Sequence, residues 1–155
     1  MPESKKIAVI RVRGITGVKG GLNDTMRLLA LTRVNHCAVV ESTPQTLGMV
    51  VSCKDYLTWG EIDKDTLAAL IEKRGMLEGD KPVTDAYAKA NGFDSLDAVA
   101  DKVLAGQAEL GALKMKRVFR LHPPRKGHRT TKKAYPYGAL GNRGAEINAL
   151  IRRMM

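Results

Sequence analysis

Between Leu121 and Gly144 the sequence reads LHPPRKGHRTTKKAYPYGALGNRG, with six Lys or Arg and no Asp or Glu. This stretch limits what the rest of the chain can be. Self-repulsion and a shortage of apolar side chains keep it from building a core alone, so the fold must come from the residues around it. The net charge of +10 follows the same division. Residues 1–53 carry +4, residues 54–109 carry −5, residues 110–145 carry +10 and the last ten carry +1. A positive excess confined to one block points to a polyanionic partner rather than to general solubility.

The remainder has the means to fold. Of the 155 residues 44% are hydrophobic, but only seven are aromatic, so Val, Ile, Leu, Met and Ala must fill one domain-sized core. No run approaches the roughly 20 apolar residues of a membrane span, and the first residues do not resemble a signal peptide. Cys37 and Cys53 lie in apolar surroundings without CxxC spacing, so two buried free thiols are expected. The expectation is a soluble, cytoplasmic protein.

Along the chain, Lys6–Arg13 ends in strict alternation, which predicts a strand with Ile10 and Val12 on a covered face and Arg11 and Arg13 on a basic one. GITGVKGG then reads as a loop. Asn23 or Asp24 is the expected cap of a helix through about Arg33, with Leu22, Met26, Leu28, Leu29 and Leu31 on its apolar side. His36–Glu41 reads as a second strand, parallel to the first through a right-handed crossover. Thr43 caps a helix with Pro44 at its first position and Leu47, Val50 and Val51 buried. Tyr56–Glu61 is a third strand, and Asp63 caps a helix that carries Leu67, Leu70 and Ile71 and ends at Gly75.

The spacing thus predicts an α/β fold: a βαβαβ core sheet over 1–75 with helices on one face, followed by a helical insertion over 76–113 packed on the sheet. In the insertion Thr84 and Ser95 are the caps, Asn91-Gly92 and Gly106 the stops, and Leu96, Val99 and Val103 the buried face. Residues 114–155 supply a strand near 116–121 that rejoins the sheet or forms a ribbon, the basic extension, and a short helix docked by Ile147, Leu150 and Ile151.

No catalytic pattern accompanies the charge. GITGVKGG fits neither GxxxxGK[ST] nor GxGxxG; its overlapping GxxG units resemble an RNA-clamping loop, but a tight strand-to-helix turn explains them equally well. His36, His122 and His128 have no Cys or carboxylate at metal or triad spacing. Asp63 with Asp65, and Asp94 with Asp97, read as helix caps and first-turn acids. Neither a metal site nor a cofactor is expected.

The basic run has what an RNA contact needs. Arg125, Lys126, Arg129, Lys132, Lys133 and Arg143 supply phosphate contacts, Tyr135, Tyr137 and His128 supply flat faces, and Gly127 permits close approach. Pro123, Pro124 and Pro136 stiffen it, and it is expected to be mobile alone and to order on its partner. Arg11, Arg13, Lys19, Arg27 and Arg33 are weaker candidates, resting on charge and expected exposure.

FRLHPPRKGH, Phe119 to His128, resembles the archaeal members of the "L thirty" family of large-subunit ribosomal proteins, related to the eukaryotic "L seven" proteins. IAVIRVRG, the TP..LGM segment from Thr43 to Met49 and KDYLTWGEID at Lys54–Asp63 occur in the family's order, so the resemblance covers essentially the whole chain. The shorter bacterial members resemble only about the first sixty residues, and the absence of a long basic N-terminal extension suggests an archaeal source. The resemblance implies ferredoxin-like character, a structural role in the large subunit, ribosomal RNA as partner in the neighbourhood of 5S RNA, contact with neighbouring ribosomal proteins, and no enzymatic activity or cofactor. It places the RNA-contacting role most firmly on Arg125 to Arg129. Against it stand an RNA-modifying or RNA-processing enzyme, which would show metal- or nucleotide-dependent turnover, and a free DNA-binding protein, which would bind duplex DNA and structured RNA equally. If six to eight cations neutralise phosphates, log affinity falls with log salt with a slope of roughly −4 to −7, measurable by filter binding across a salt series.

Overall fold

The computed structural model describes residues 5–107 and 114–155. Its centre is β1 (Lys6–Arg11), whose residues are all buried. A strand enclosed on both sides needs partners on both edges and cover on both faces. β2 (His36–Glu41) and β3 (Leu57–Glu61) flank it, both antiparallel, with Ile7 opposite Val40 on one side and Glu61 on the other. β4 (Val118–Arg120) joins antiparallel to β2, and β5 (Gly141–Asn142) joins parallel to β3, giving the order β4-β2-β1-β3-β5. The strand expected near 116–121 thus rejoins the sheet at an edge. Lys6 sits directly across from Glu41 and its ammonium bonds that carboxylate at 2.9 Å, pinning the β1–β2 register.

The α/β class and the βαβαβ order hold, but the first crossover is corrected: β1 and β2 are antiparallel, not parallel. α1 (Gly20–Leu28) is short, and the chain reverses through left-handed Ala30 and Asn35. The Asn35 N–H then donates to the Arg11 carbonyl, so the excursion returns to the end of the sheet it left. β2 and β3 run parallel to each other on either side of β1, their shared antiparallel neighbour, and are joined through α2 (Pro44–Ser52). α1 also starts earlier than expected. It begins at Gly20 without a side-chain cap and ends at Leu28 rather than near Arg33.

Alternate residues of β1 feed two cores, so helices cover both faces of the sheet and not the single face expected. Ile7 and Val9 pack with Met26, Leu29, Leu31 and Val50, beneath α1 and α2. The expected stripes are narrower than the spacing suggested, because Leu28 and Val51 are exposed. Ala8 and Ile10 face the other way. There they meet Leu67, Leu70 and Ile71 of α3 (Lys64–Arg74), Leu96, Val99 and Val103 of α5 (Leu96–Leu104), and Ile147, Leu150 and Ile151 of α6 (Ile147–Met154). α4 (Asp85–Ala90) adds Ala88.

The cap chemistry expected from the sequence is present. Thr43, Asp63, Thr84 and Ser95 each accept a backbone N–H three residues on, which satisfies one of the unpaired donors of a first helical turn. Pro44 occupies the first position of α2. α5 lies against α3, and Lys64 reaches Asp101 at 2.9 Å across that seam. Residues 108–113, where the expected insertion ends, lie outside the described residues.

Gly60 marks the tightest approach of sheet and C-terminal segment. A Cβ there would lie 2.0 Å from the Gly144 carbonyl oxygen and 2.8 Å from the Ile147 Cβ. Gly60→Ala should destabilise the fold by about 3 kcal/mol in urea titrations, because backbone must move to admit the methyl group. Both thiols are free and buried, and burial pushes the Cys37 thiol up to about 12 from 9.0. The native thiol therefore stays neutral while an unfolded one ionises. Its contribution to stability is intact below about pH 9 and is lost as pH rises towards 12. Native protein should accordingly leave Cys37 unalkylated by iodoacetamide at mildly alkaline pH, with modification following unfolding.

Candidate nucleic-acid interface

The acid-free run is tied down along its length rather than trailing from the body. At its start the His122 and Arg125 N–H groups donate to the Met154 and Arg153 carbonyls, capping the end of α6. The Pro124 carbonyl accepts from Gly127, closing a turn in which Lys126 and Gly127 have φ of 65° and 67°. Farther on, Ala139 and Leu140 are buried against Val12, and Gly141–Asn142 extends the sheet as β5. The middle is folded on itself: Ala139 donates to Thr130, Tyr135 to Leu140, and Gly138 to Ala134. Gly138 is required there, since a Cβ would lie 2.1 Å from the Lys133 carbonyl oxygen. The run was expected to hold few core residues; Leu121, Ala139 and Leu140 are the buried hydrophobic ones among the described residues, the last two against Val12.

Arg143 is its main anchor. Its Nε donates to Thr58 Oγ1 at 2.9 Å and its Nη2 to the Ala139 carbonyl at 3.1 Å, while Thr58 passes its own hydrogen to the Gly141 carbonyl at 3.0 Å. The guanidinium also stacks 5.6 Å from the Tyr135 ring centroid. Burial, followed by the charge of Arg153, lowers the Arg143 pKa from the arginine value. His128 is half-buried beside these groups; burial first, then Arg143 and Arg153, hold its pKa below the usual histidine value.

What remains facing outward is cationic. Arg125, Lys126, Arg129, Lys132 and Lys133 are exposed, with Tyr135 and Tyr137 exposed among them. Lys126, Gly127, His128, Arg129, Tyr135 and Arg143 come together around a cleft of about 300 Å3. Lys132 lines a second, more apolar cleft with Lys54, Trp59 and Leu140.

The weaker candidates divide differently. Arg13, Lys19, Arg27 and Arg33 are exposed, yet none lines either cleft. Arg13 lies 5.4 Å from the Tyr56 ring centroid, and Arg27 pairs with Asp24 at 3.8 Å.

Arg11 is a correction. It is wholly buried, and its Nε, Nη1 and Nη2 donate to the carbonyls of Arg13, Leu31 and Gly14 at 3.0, 2.9 and 3.2 Å. Alternation placed it opposite Ile10 correctly, but that face is roofed by α1 and α2, so the side chain is a clasp for two loops and is out of reach of a ligand. Arg153 was missed in turn. It lines the cleft and donates to the Arg125 and Gly127 carbonyls at 3.2 and 3.3 Å. The only signal was its place off the apolar stripe of the last helix.

These features define a class: a small α/β protein that mounts a folded, acid-free cationic loop on the edge of its sheet. The family described as "Ribosomal protein L30p/L7e" matches residues 7–57. Over 151 residues the chain is 48% identical to the large ribosomal subunit protein uL30 of Methanococcus maripaludis, spanning 96% of this chain and 98% of the relative. The uL30 proteins of Methanosphaera stadtmanae and Methanobrevibacter smithii are 45% and 47% identical, over 96% and 95% of this chain and 99% and 98% of theirs. The chain belongs to the uL30 family. Those relatives are named for a place in the large ribosomal subunit and for no reaction.

Among the described residues no group of His, Cys, Asp and Glu could hold a metal ion, and no helix is long and apolar enough to cross a membrane. Arg11→Ala should cost about 3 kcal/mol in urea unfolding, because it strands buried carbonyls. The double substitution Arg125→Gln and Lys126→Gln should change stability by less than about 0.5 kcal/mol, since neither side chain packs.

Proposed function

We propose that the chain is a structural constituent of the large ribosomal subunit and that it binds ribosomal RNA through the folded cationic loop, near 5S RNA as the family resemblance implies. The observation that carries this reading is the contrast within one surface. Arg143, Arg153 and the buried Ala139 and Leu140 hold the loop to the body, whereas Arg125, Lys126, Arg129, Lys132 and Lys133 point outward without a salt-bridge partner among the described residues. A surface that leaves five cations unneutralised is suited to a phosphate backbone, whose contacts dominate RNA affinity. Tyr137, 77% exposed, adds a flat face for a ribose or an unstacked base. Neighbouring ribosomal proteins are further partners that the family resemblance implies. The ribosome is the cytoplasmic partner this reading requires, and it needs neither a cofactor nor a small-molecule substrate.

The test is assembly. The triple charge reversal Lys126→Glu, Arg129→Glu, Lys132→Glu should leave the fold intact and abolish co-sedimentation with large subunits on a sucrose gradient. Normal co-sedimentation of that variant would remove the loop from the interface. With five exposed cations engaged, the salt slope for a ribosomal RNA fragment should be near −4, falling in magnitude by about 2 in the triple variant.

A further inference from the structure

The cleft of about 300 Å3 lies where the 126–129 turn, the loop around Tyr135 and the end of α6 meet. Lys126, Arg129, Arg143 and Arg153 line it with His128 and Tyr135, and among the described residues no acidic side chain does. The arginines are held from behind. Arg143 uses Nε and Nη2 on Thr58 and Ala139, Arg153 uses Nη1 on two carbonyls, and Arg129 uses Nη1 on the Pro136 carbonyl at 3.1 Å. A guanidinium has five N–H donors, so each keeps several for another acceptor, already positioned before a ligand arrives.

The chain itself compensates this charge only in part. Glu146 offsets part of the charge on Arg143 but stands outside the lining. The Nδ1 atom of His128 is shut off from solvent with no hydrogen-bond partner among the described residues. Clustered, half-buried cations without a counter-charge are stabilised by an anion that completes them. A planar carboxylate could satisfy one guanidinium fork. Arginines converging from three chain segments instead suit oxygens that point in several directions, as on a tetrahedral phosphate.

We propose that this cleft is a single-phosphate site, taking one phosphodiester group at a bend in an RNA backbone between Arg143 and Arg153, with Lys126 and Arg129 at its mouth and Tyr135 beside the adjoining ribose. This rests on the reading of the chain as an RNA-bound constituent of the ribosome and adds a defined ligand group to it. A consequence concerns His128. The groups facing its ring are Lys126 and Arg129 from its own turn, Tyr135 from the loop, Arg143 ahead of the 3-10 turn at Gly144–Glu146, and Arg153 from α6. An imidazole is the side chain whose charge ordinarily changes near neutrality, so the ring is the group to follow. In the free chain burial, and after it Arg143 and Arg153, oppose its protonation. A phosphate offsets both arginines and moves the midpoint up. Between the free and bound midpoints a proton is taken up on binding, and affinity falls as pH rises by at most about tenfold per pH unit.

The experiment is an NMR titration of the His128 ring in the full chain from about pH 5 to about pH 8, alone, with inorganic pyrophosphate, and with hexauridylate. The midpoint should rise by about one unit with either ligand. Arg153→Gln should weaken hexauridylate binding about tenfold, and His128→Gln should bind while losing the pH dependence. An unmoved midpoint with ligand bound overturns the proposal. A response to pyrophosphate but not to hexauridylate assigns the cleft to a free phosphate and overturns the RNA assignment. Co-sedimentation separates the two readings. A chain that joins large subunits with an unmoved His128 loses only the cleft, and one whose His128 responds but never joins subunits loses only the ribosomal role.

Discussion

The fold depends on the two-sided burial of β1. A six-residue strand with every residue enclosed cannot stand at an edge or face water on one side, so it requires a neighbour on each edge and a helical layer on each face. α1 and α2 provide one layer directly after β1 in sequence. The other must be assembled from α3, from the acidic segment that carries α4 and α5, and from α6 at the far end of the chain. Because α6 belongs to that layer, the chain has to travel from β4 at one sheet edge to β5 at the other before it can dock.

That path explains the acid-free run. It is the connection between the two edges of the sheet, held by the end of α6 on one side and by Thr58 and β3 on the other. A connection anchored in this way can be strongly charged without detaching, since its buried apolar residues lie at its two anchored ends, Leu121 at one and Ala139 and Leu140 at the other. The charge is thereby presented on a folded loop. A polyanion meeting it orders less chain than it would on meeting a free tail, and less entropy is lost on binding.

Arg11 shows that arginine alone does not mark an interface. Arg11 and Arg143 are both fixed by carbonyl acceptors, but Arg11 is wholly buried whereas Arg143 lines the cleft. Arg125 and Lys126, adjacent in sequence to the anchor at α6, have no such side-chain engagement among the described residues and are exposed. The distinction follows from what lies over each residue, not from residue type.

Local signals in the sequence were sufficient for much of this protein. Thr43, Asp63, Thr84 and Ser95 announced their helices because a side-chain acceptor three residues before a free N–H is a contact within one turn. The apolar run of β2, the helical spacing of Leu67, Leu70 and Ile71, and the charge block at 121–144 were likewise readable, and with the family resemblance they indicated class and role. Tertiary structure alone decided the antiparallel pairing of β1 and β2, the burial of Arg11, the exposure of Leu28 and Val51, and the presence of Arg153 in the cleft. Each depends on residues far apart in the chain. The reversal at Ala30 and Asn35 sets the strand direction, α1 and α2 roof Arg11, and α6 carries Arg153 back to a turn 26 residues earlier. Periodicity reports which side of an element a residue occupies; what covers that side is settled only when the distant parts of the chain meet.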